Sequence, residues 1–249
     1  MRLAQNWFLD WFNSPYYHQL YHYRDENEAN KFLNVLISHL KPDQNAIMLD
    51  VACGRGRHAK ALAAKGFDVT GIDIAPDSIE FAKQFEDEQL HFYIHDMRLP
   101  FWINYFDYAF NFFTSFGYFR TEREHFNAIR SIAGAIKDNG FFVLDYINVN
   151  YVEEHLVPES ETGIDGVDFT MKRWSDEKHF FKRIMITDHN TNEDCEYTER
   201  IAKILPNDFE RMFSRYELRM QEMFGDYELH AFDKNDSPRL IMLAKKIIH

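Results

Sequence analysis

An acid, two glycines and the start of a predicted helix stand close together at residues 50–57, which read Asp-Val-Ala-Cys-Gly-Arg-Gly-Arg. Gly54 and Gly56 allow the backbone to pass close to a ligand at a point where a side chain would collide with it. The helix that follows presents free N–H groups, which can bind a carboxylate or a phosphate. This glycine loop is therefore predicted to bind a ligand.

Two further acids come directly after predicted strands. Asp73 ends the run Val69-Thr70-Gly71-Ile72-Asp73, and Asp96 follows the next strand in His95-Asp96-Met97. A carboxylate at the end of the second strand can accept hydrogen bonds from both hydroxyls of a ribose lying across the sheet. At the end of the third strand, an acid can bind the amino group of an adenine. The pattern therefore indicates a nucleoside ligand.

Two classes of nucleoside cofactor fit these residues. Gly54-x-Gly56-x-x-Ala59, with Asp73 nineteen residues after Gly54, formally satisfies the dinucleotide-binding pattern. Asp50 argues for S-adenosylmethionine instead, because its charge would repel a pyrophosphate and attract the amino group of a methionine moiety. Asp96 supplies a third acid, and the chain ends in an apparent strand pair instead of further dinucleotide-fold units. The methyl donor is favoured, and a dinucleotide is the alternative.

The elements that position these residues alternate between strand and helix. Their hydrophobic periodicity predicts strands at 47–51, 67–74, 90–95, 105–113 and 141–147, and helices at 25–40, 58–65, 78–85 and 122–137. Repeated strand–helix units indicate a parallel sheet covered by helices on both faces. The predicted fold class is therefore α/β.

The pattern changes after residue 150. Strand-like stretches joined by polar turns predict a small antiparallel sheet at 167–174, 179–188 and 195–205, followed by a helix at 208–224 and a closing strand pair at 227–232 and 239–247. We therefore expect four parts, namely an N-terminal helical flap (1–44), an α/β core (45–150), an inserted antiparallel β lid (151–205) and the C-terminal part of the core (206–249).

The composition narrows the possible partners. With 28 Lys and Arg against 40 Asp and Glu, the formal charge is −12, which repels nucleic acids and anionic membranes. The two cysteines, Cys53 and Cys195, are expected to be reduced thiols. No signal peptide, membrane span or metal-ligand spacing is evident. We expect a soluble cytoplasmic protein, a monomer or homodimer, without a metal.

Residues 45–150 resemble the class I S-adenosylmethionine-dependent methyltransferases, and residues 206–248 do so more loosely. The segments LDVACGRG and KGFDVTGID are similar to the glycine and sarcosine N-methyltransferase-like branch. The resemblance implies a Rossmann-like sheet of seven strands with the last one antiparallel. It also implies a donor site in which the methionine end is lined by Asp50, Gly54 and Gly56, the ribose by Asp73, the adenine by Asp96 and Met97, and the sulfonium by Phe112, with Ala52, Cys53 and Ile74 beside them.

The same resemblance places the transferable methyl group opposite the turn that follows the fourth strand. Phe113, Thr114 and Tyr118 are expected to face it, with Thr114 or Tyr118 holding the acceptor atom. Aromatic rings there can stabilise a sulfonium by cation–π attraction. In the flap, Tyr17, Tyr21 and Arg24 resemble residues that cover the donor, and Arg24 could pair with the methionine carboxylate.

One departure from the branch bears on the acceptor. Ile147 stands where glycine-methylating members carry an arginine that binds the substrate carboxylate, which argues against glycine or sarcosine. We expect methyl transfer to a nitrogen or oxygen of a small molecule. The alternatives are methylation of a protein or RNA, which the net charge disfavours, and a donor-binding regulatory protein without transfer activity.

Overall fold

The computed structural model describes residues 7–22 and 26–247, which contain eight α-helices and eleven strands. The helices are α1 Trp7–Phe12, α2 Pro15–Leu20, α3 Glu26–Leu40, α4 Arg57–Ala63, α5 Pro76–Ala82, α6 Glu122–Ala135, α7 Val149–Glu154 and α8 Pro206–Ser214. The strands are β1 Ile47–Val51, β2 Asp68–Asp73, β3 Leu90–Ile94, β4 Phe106–Asn111, β5 Ile136–Ile147, β6 Glu159–Ile164, β7 Val167–Ser175, β8 His179–Asp188, β9 Glu193–Ala202, β10 Leu218–Phe224 and β11 Arg239–Lys246.

Seven strands form the core sheet, in the order β10-β11-β5-β4-β1-β2-β3. β1 pairs in parallel with β2 and β4, β2 with β3, and β4 with β5, whereas β11 is antiparallel to both β5 and β10. The predicted sheet with its last strand antiparallel is therefore confirmed. Because the carboxyl ends of β1, β2, β3 and β4 meet at one edge, the glycine loop and the acids after β2 and β3 come together there.

Helices cover both faces of this sheet. On one face, α6 and α8 bury Ile129, Phe209 and Phe213 against the sheet residues Phe142 and Leu144. The other face is covered by α3, α4 and α5, which bury a second cluster that includes Phe32, Leu62 and Ile79 against Met48 and Val69. α6 begins at a capping box in which Thr121 and Glu124 satisfy each other's backbone N–H groups. The core is thus the three-layer α/β arrangement that the periodicity predicted. No described helix combines the length and the apolar character needed to cross a membrane.

The remaining strands form a second, antiparallel sheet in the order β6-β7-β8-β9, which agrees with the antiparallel sheet predicted for the inserted segment. The apolar face of this sheet packs on α1. Trp7, Phe8 and Trp11 of that helix join Phe169 and Ile184 of the sheet in one buried cluster. The N-terminal helices and the lid therefore share a hydrophobic core.

The structure corrects the prediction for the end of the chain. The predicted helix 208–224 is wrong in its second half, because α8 stops at Ser214 and residues 218–224 form β10. Glu217 adopts a left-handed φ of 63°, which a continuing helix does not allow. The closing strand pair is β10 with β11, and residues 227–232 contribute only an isolated bridge from Ala231 to Phe224.

Two strand boundaries also differ from the prediction. β6 was not predicted, because Glu159–Ile164 reads ESETGI and carries little of the apolar alternation that marks a strand. β5 begins at Ile136, within the last turn of the predicted helix 122–137. Gly140 lies inside this strand, where an added Cβ would come within 2.7 Å of the Asp107 carbonyl oxygen on the neighbouring strand β4.

Candidate functional site

A cavity of about 300 Å³ lies at the carboxyl edge of the core sheet, under the N-terminal helices and the lid. That volume is at the lower end of the range of about 300–1,000 Å³ for small-molecule pockets. Eleven of the residues predicted from the sequence line it, namely Tyr17, Tyr21, Ala52, Gly54, Asp73, Ile74, Asp96, Met97, Phe113, Thr114 and Tyr118. The fold thus brings residues from the flap, the glycine loop and three strand ends into one cavity.

Asp73 anchors the glycine loop to the next strand. Its carboxylate accepts hydrogen bonds from the backbone N–H of Gly54 at 2.8 Å and from that of Ala75 at 2.8 Å. Gly54 has a φ of 56°, and a Cβ added to it would have no atom within 4 Å. The space above Gly54 in the cavity wall is therefore open to a ligand. At Gly56 a Cβ would lie 2.5 Å from the Phe92 ring, so this glycine is required by packing.

Asp50 is buried beneath the loop, with 1% of its surface exposed. Burial raises the pKa of its carboxyl group to about 7, and the nearby Asp73 carboxylate adds to that effect. Among the described residues, no group donates a hydrogen bond to Asp50 Oδ2. A buried carboxylate oxygen without a donor fits a ligand that brings an ammonium group. Contact between Asp50 and the amino group of a methionine moiety stays a prediction.

Asp96 lies in the cavity wall as an ion-paired carboxylate. Arg98 donates to Asp96 Oδ2 through Nη2 at 2.6 Å and to Glu124 through Nη1 at 2.7 Å. Burial opposes ionisation of Asp96, but the hydrogen bonds from Arg98 outweigh it and lower the pKa of the carboxyl group. Asp96 is thus held in the cavity wall as an anion, and its contact with an adenine stays a prediction.

The turn after β4 is held in a strained conformation. Phe113 and Thr114 have φ values of 56° and 58°, in the left-handed region that side chains other than glycine rarely occupy. Asp145 at the end of β5 stabilises this turn, because its Oδ2 accepts from the Phe113 N–H at 2.7 Å and its carbonyl oxygen from the Thr114 N–H at 3.1 Å. The strain presents both side chains to the cavity.

Some predicted donor-site residues do not line the cavity. Phe112 is buried, and its ring packs against Phe32 and His58 at centroid distances of 5.3 and 4.9 Å. Cys53 is buried as a free thiol, and burial raises the pKa of that thiol well above its usual value. Asp50 and Gly56 belong to the glycine loop but do not line the cavity either. Arg24 lies outside the described residues, so its contact with the methionine carboxylate stays a prediction.

The cavity wall also contains residues that were not predicted, among them four from the lid and from the C-terminal part of the core. Lys182, Glu199 and Ile201 come from β8 and β9 of the lid, and Arg239 comes from the start of β11. The period of two in β8 places Lys182 on the same face as the buried Phe180 and Ile184. A charged residue at an inward position was therefore a signal present in the sequence. No such signal marked Arg239.

The aromatic flap covers the same cavity. The Tyr118 ring packs against Trp7 and Phe12 at centroid distances of 5.7 and 5.1 Å. Phe12 in turn contacts Tyr17, and Tyr17 contacts Tyr21. An unbroken row of rings therefore runs from the strained turn to the lid. Away from the cavity lining, Asp226, Glu228 and His230 form a group of potential metal ligands at the surface.

The comparisons with known proteins agree with this geometry. Residues 48–140 match the family model of a methyltransferase domain. YqeM of Bacillus subtilis (strain 168), a protein named as a methyltransferase, is 30% identical over 122 residues, which cover 48% of this chain and 49% of that protein. This chain thus spans about half the length of that curated relative.

Solved structures match over nearly the whole chain. An S-adenosylmethionine-dependent methyltransferase from Clostridium acetobutylicum ATCC 824 has a TM-score of 0.78 at 16% identity, covering 94% of this chain and 97% of that one. CalS10, an amino pentose methyltransferase from Micromonospora echinaspora bound to S-adenosylmethionine, has a TM-score of 0.70 at 18% identity, covering 94% and 97%. Residues 48–140 therefore match a methyltransferase domain, and the chain shares the fold of these S-adenosylmethionine-dependent methyltransferases. These matches do not single out the glycine and sarcosine branch.

Proposed function

We propose that this chain transfers a methyl group from S-adenosylmethionine to a nitrogen or oxygen atom of a small molecule. The observation that carries the proposal is the single cavity that joins Gly54 and Asp73 at one wall to Thr114 and Tyr118 at another. The first wall has the chemistry to hold a nucleoside and an amino acid. The second wall presents hydroxyl groups and aromatic rings, which suit an acceptor.

Each wall supplies groups of this chain that bind or orient. Asp73 can accept from ribose hydroxyls, and the open space at Gly54 allows close approach of a ligand. Asp50, buried near Asp73 with an unpartnered oxygen, is the group we assign to the ammonium of the methionine moiety. When bound, S-adenosylmethionine supplies an electrophilic methyl group. Thr114 and Tyr118 then orient the acceptor atom toward that group, since in-line positioning in a site closed to water provides most of the rate gain in such a displacement.

A small acceptor is supported by the cover of the cavity, because residues of both the flap and the lid line it. A net charge of −12 disfavours an RNA acceptor. The structural neighbour CalS10 is named for an amino pentose acceptor, which is a molecule of this class. A cytoplasmic protein that acts as a monomer or homodimer stays our prediction.

The first test is binding of S-adenosylhomocysteine by isothermal titration calorimetry, with NAD as the competing cofactor. We expect the former to bind and the latter not to. Asp73→Asn should weaken binding by about 1–3 kcal/mol because a ribose contact is lost. Asp68→Asn, at the other end of the same strand, is the matched control and should bind as the wild type does. Binding of NAD alone would overturn the proposal.

The second test separates an enzyme from a donor-binding regulatory protein. The protein is incubated with S-adenosylmethionine and pools of small metabolites, and S-adenosylhomocysteine formation is followed by mass spectrometry. We expect formation in at least one pool above the rate without acceptor. Tight donor binding with no product in any pool would favour the regulatory alternative.

A further inference from the structure

We propose that the lid forms the acceptor subsite and that Glu199 there selects a small amine without a carboxylate group. The inference rests on the proposed methyl transfer and names its acceptor class. It arises from a buried carboxylate in the cavity wall, supplied by a segment outside the matched methyltransferase domain of residues 48–140.

Glu199 lies on β9 with only 7% of its surface exposed. Its Oε1 accepts hydrogen bonds from the indole N–H of Trp11 at 2.7 Å and from the hydroxyl of Tyr21 at 3.2 Å. Its Oε2 forms an ion pair with Lys182 Nζ at 3.9 Å, a separation too long for a hydrogen bond. Within the described ranges 7–22 and 26–247, no hydrogen-bond donor to Oε2 is found. One oxygen therefore orients the carboxylate, and the other is available to a ligand.

The row of aromatic rings connects Glu199 with the turn that is expected to face the methyl group. Tyr118 contacts Phe12 at a centroid distance of 5.1 Å, Phe12 contacts Tyr17 at 5.1 Å, and Tyr17 contacts Tyr21 at 5.0 Å. Phe12, Tyr17, Tyr21 and Tyr118 all line the cavity. Aromatic faces attract cations, and a carboxylate at the end of such a wall adds a direct partner for an N–H group.

The cations in the cavity wall are already engaged. Arg239 donates to Asp145 at 2.6 Å and to the Thr114 hydroxyl at 2.8 Å. Lys182 donates to the Tyr21 hydroxyl at 2.5 Å and also forms an ion pair with Glu199 at 3.9 Å. Ile147, directly opposite Arg239 in the sheet register, adds only apolar surface. An acceptor carboxylate would have to displace one of these pairs, and it would also meet Glu199. An amine that carries no carboxylate meets neither obstacle.

The reaction itself favours a carboxylate near an amine. The acceptor nitrogen attacks the methyl carbon with its lone pair, the carbon–sulfur bond breaks and its electron pair goes to sulfur. The nitrogen thereby becomes positively charged and afterwards releases one proton to water. Because positive charge moves from sulfur to nitrogen, a negative group in the acceptor wall stabilises the transition state more than the ground state.

The test compares Glu199→Gln with Glu196→Gln, a matched control on the same strand whose side chain is exposed and pairs with Arg183 at the surface. S-adenosylhomocysteine formation is measured with ethanolamine, benzylamine and glucosamine, with the matched alcohols ethylene glycol and benzyl alcohol, and with glycine and benzoate. We expect turnover only with the three amines that carry no carboxylate group. Glu199→Gln should lower kcat/KM for the best amine by about tenfold or more, as loss of a hydrogen bond to a charged group does, and Glu196→Gln should not change it.

Donor affinity distinguishes a failure of the amine subsite from a failure of the proposed methyl transfer. S-adenosylhomocysteine should bind Glu199→Gln within about threefold of the wild type, because Glu199 lies outside the glycine-loop wall. Absence of that binding in the wild type would overturn the proposed function itself. Three results would overturn the amine subsite while leaving donor binding intact. The first is turnover of only alcohols or carboxylates, and the second is no turnover of any amine. The third is amine turnover that is unchanged in Glu199→Gln.

Discussion

Asp145 and Arg239 form a largely buried ion pair that joins the end of β5 to the start of β11 beside the turn of Phe113 and Thr114. Arg239 Nη2 lies 2.6 Å from Asp145 Oδ1, and the Asp145 side chain is fully buried. The other oxygen, Oδ2, accepts from the Phe113 N–H and from the Tyr227 hydroxyl at 3.2 Å. One carboxylate thus holds both strand ends and the left-handed turn that presents Thr114.

Asp145→Asn should destabilise the fold, because the variant leaves the Arg239 charge without its buried partner. We expect the free energy of unfolding to fall by about 3–5 kcal/mol, the usual cost of breaking a buried pair from one side. Urea denaturation followed by fluorescence measures this. A loss below about 1 kcal/mol would contradict the role given to the pair.

Arg239→Lys keeps the charge but cannot bond to Asp145 and Thr114 with the geometry of a guanidinium. We expect a smaller loss of stability than for Asp145→Asn, together with a lower kcat for the first acceptor identified, because Thr114 loses its partner. Arg219→Lys on the exposed edge of β10 is the control and should leave both quantities unchanged. If the two arginine variants had equal effects, Arg239 would not be a residue that positions the turn.

Gly54→Ala tests whether the open space above the loop is the donor site. Gly54 and Gly66 have φ values of 56° and 92°, and at both a Cβ would meet no atom within 4 Å. Alanine at either should cost about 1–2 kcal/mol of backbone strain. Only Gly54→Ala should also weaken S-adenosylhomocysteine binding, by about tenfold or more, because only Gly54 lines the cavity. Titration calorimetry and thermal unfolding of both variants decide this.

Donor binding should depend on pH through Asp50. Its pKa is raised from 3.8 to about 7 in the folded protein, so the ligand-free fold holds a proton there that the unfolded chain releases. This group's contribution to stability is therefore present at low pH and lost as the pH rises toward 7 and above. An ammonium group prefers the ionised carboxylate, so affinity for S-adenosylhomocysteine should increase between pH 6 and pH 8, with proton release on binding.

Asp50→Asn is the matched variant for that pH dependence. It cannot ionise, so its affinity for S-adenosylhomocysteine should be weaker and nearly constant from pH 6 to pH 8. Calorimetry in two buffers of different ionisation enthalpy counts the protons released. If the variant kept the slope of the wild type, the titrating group would be another residue, such as Asp73, whose carboxyl pKa is also raised by burial.

Tyr118→Phe tests the acceptor side of the turn. Removal of the hydroxyl should lower turnover by about tenfold while leaving donor affinity within about twofold, since the hydroxyl is assigned to the acceptor. Tyr93→Phe, on the exposed edge strand, is the control. Equal losses of turnover and donor affinity would show that the Tyr118 hydroxyl does not act on the acceptor alone.

The parts of the fold that could be predicted are those determined by residues close together in the sequence. Apolar runs of five or six residues, glycines and strand-terminal acids predicted β1 to β4 and the edge at which Gly54, Asp73 and Asp96 meet. The prediction of a helix at 208–224 was wrong in its second half. Phe209, Met212 and Phe213 follow a helical spacing, and the residues of β10 contain no clear break in that spacing. Pairing with β11 decided that segment, and such pairing is a long-range contact.

By itself, the sequence predicted the cofactor class and determined the sheet that carries the glycine loop, because that loop and its acids lie within a few residues of the strand ends that position them. Only the tertiary structure decided which residues form the wall that we propose for the acceptor. Lys182 and Glu199 reach the cavity through the pairing of β8 with β9, and Arg239 reaches it because β11 lies antiparallel beside β5. Contacts between residues so far apart in the chain depend on sheet register and packing, which no local spacing encodes.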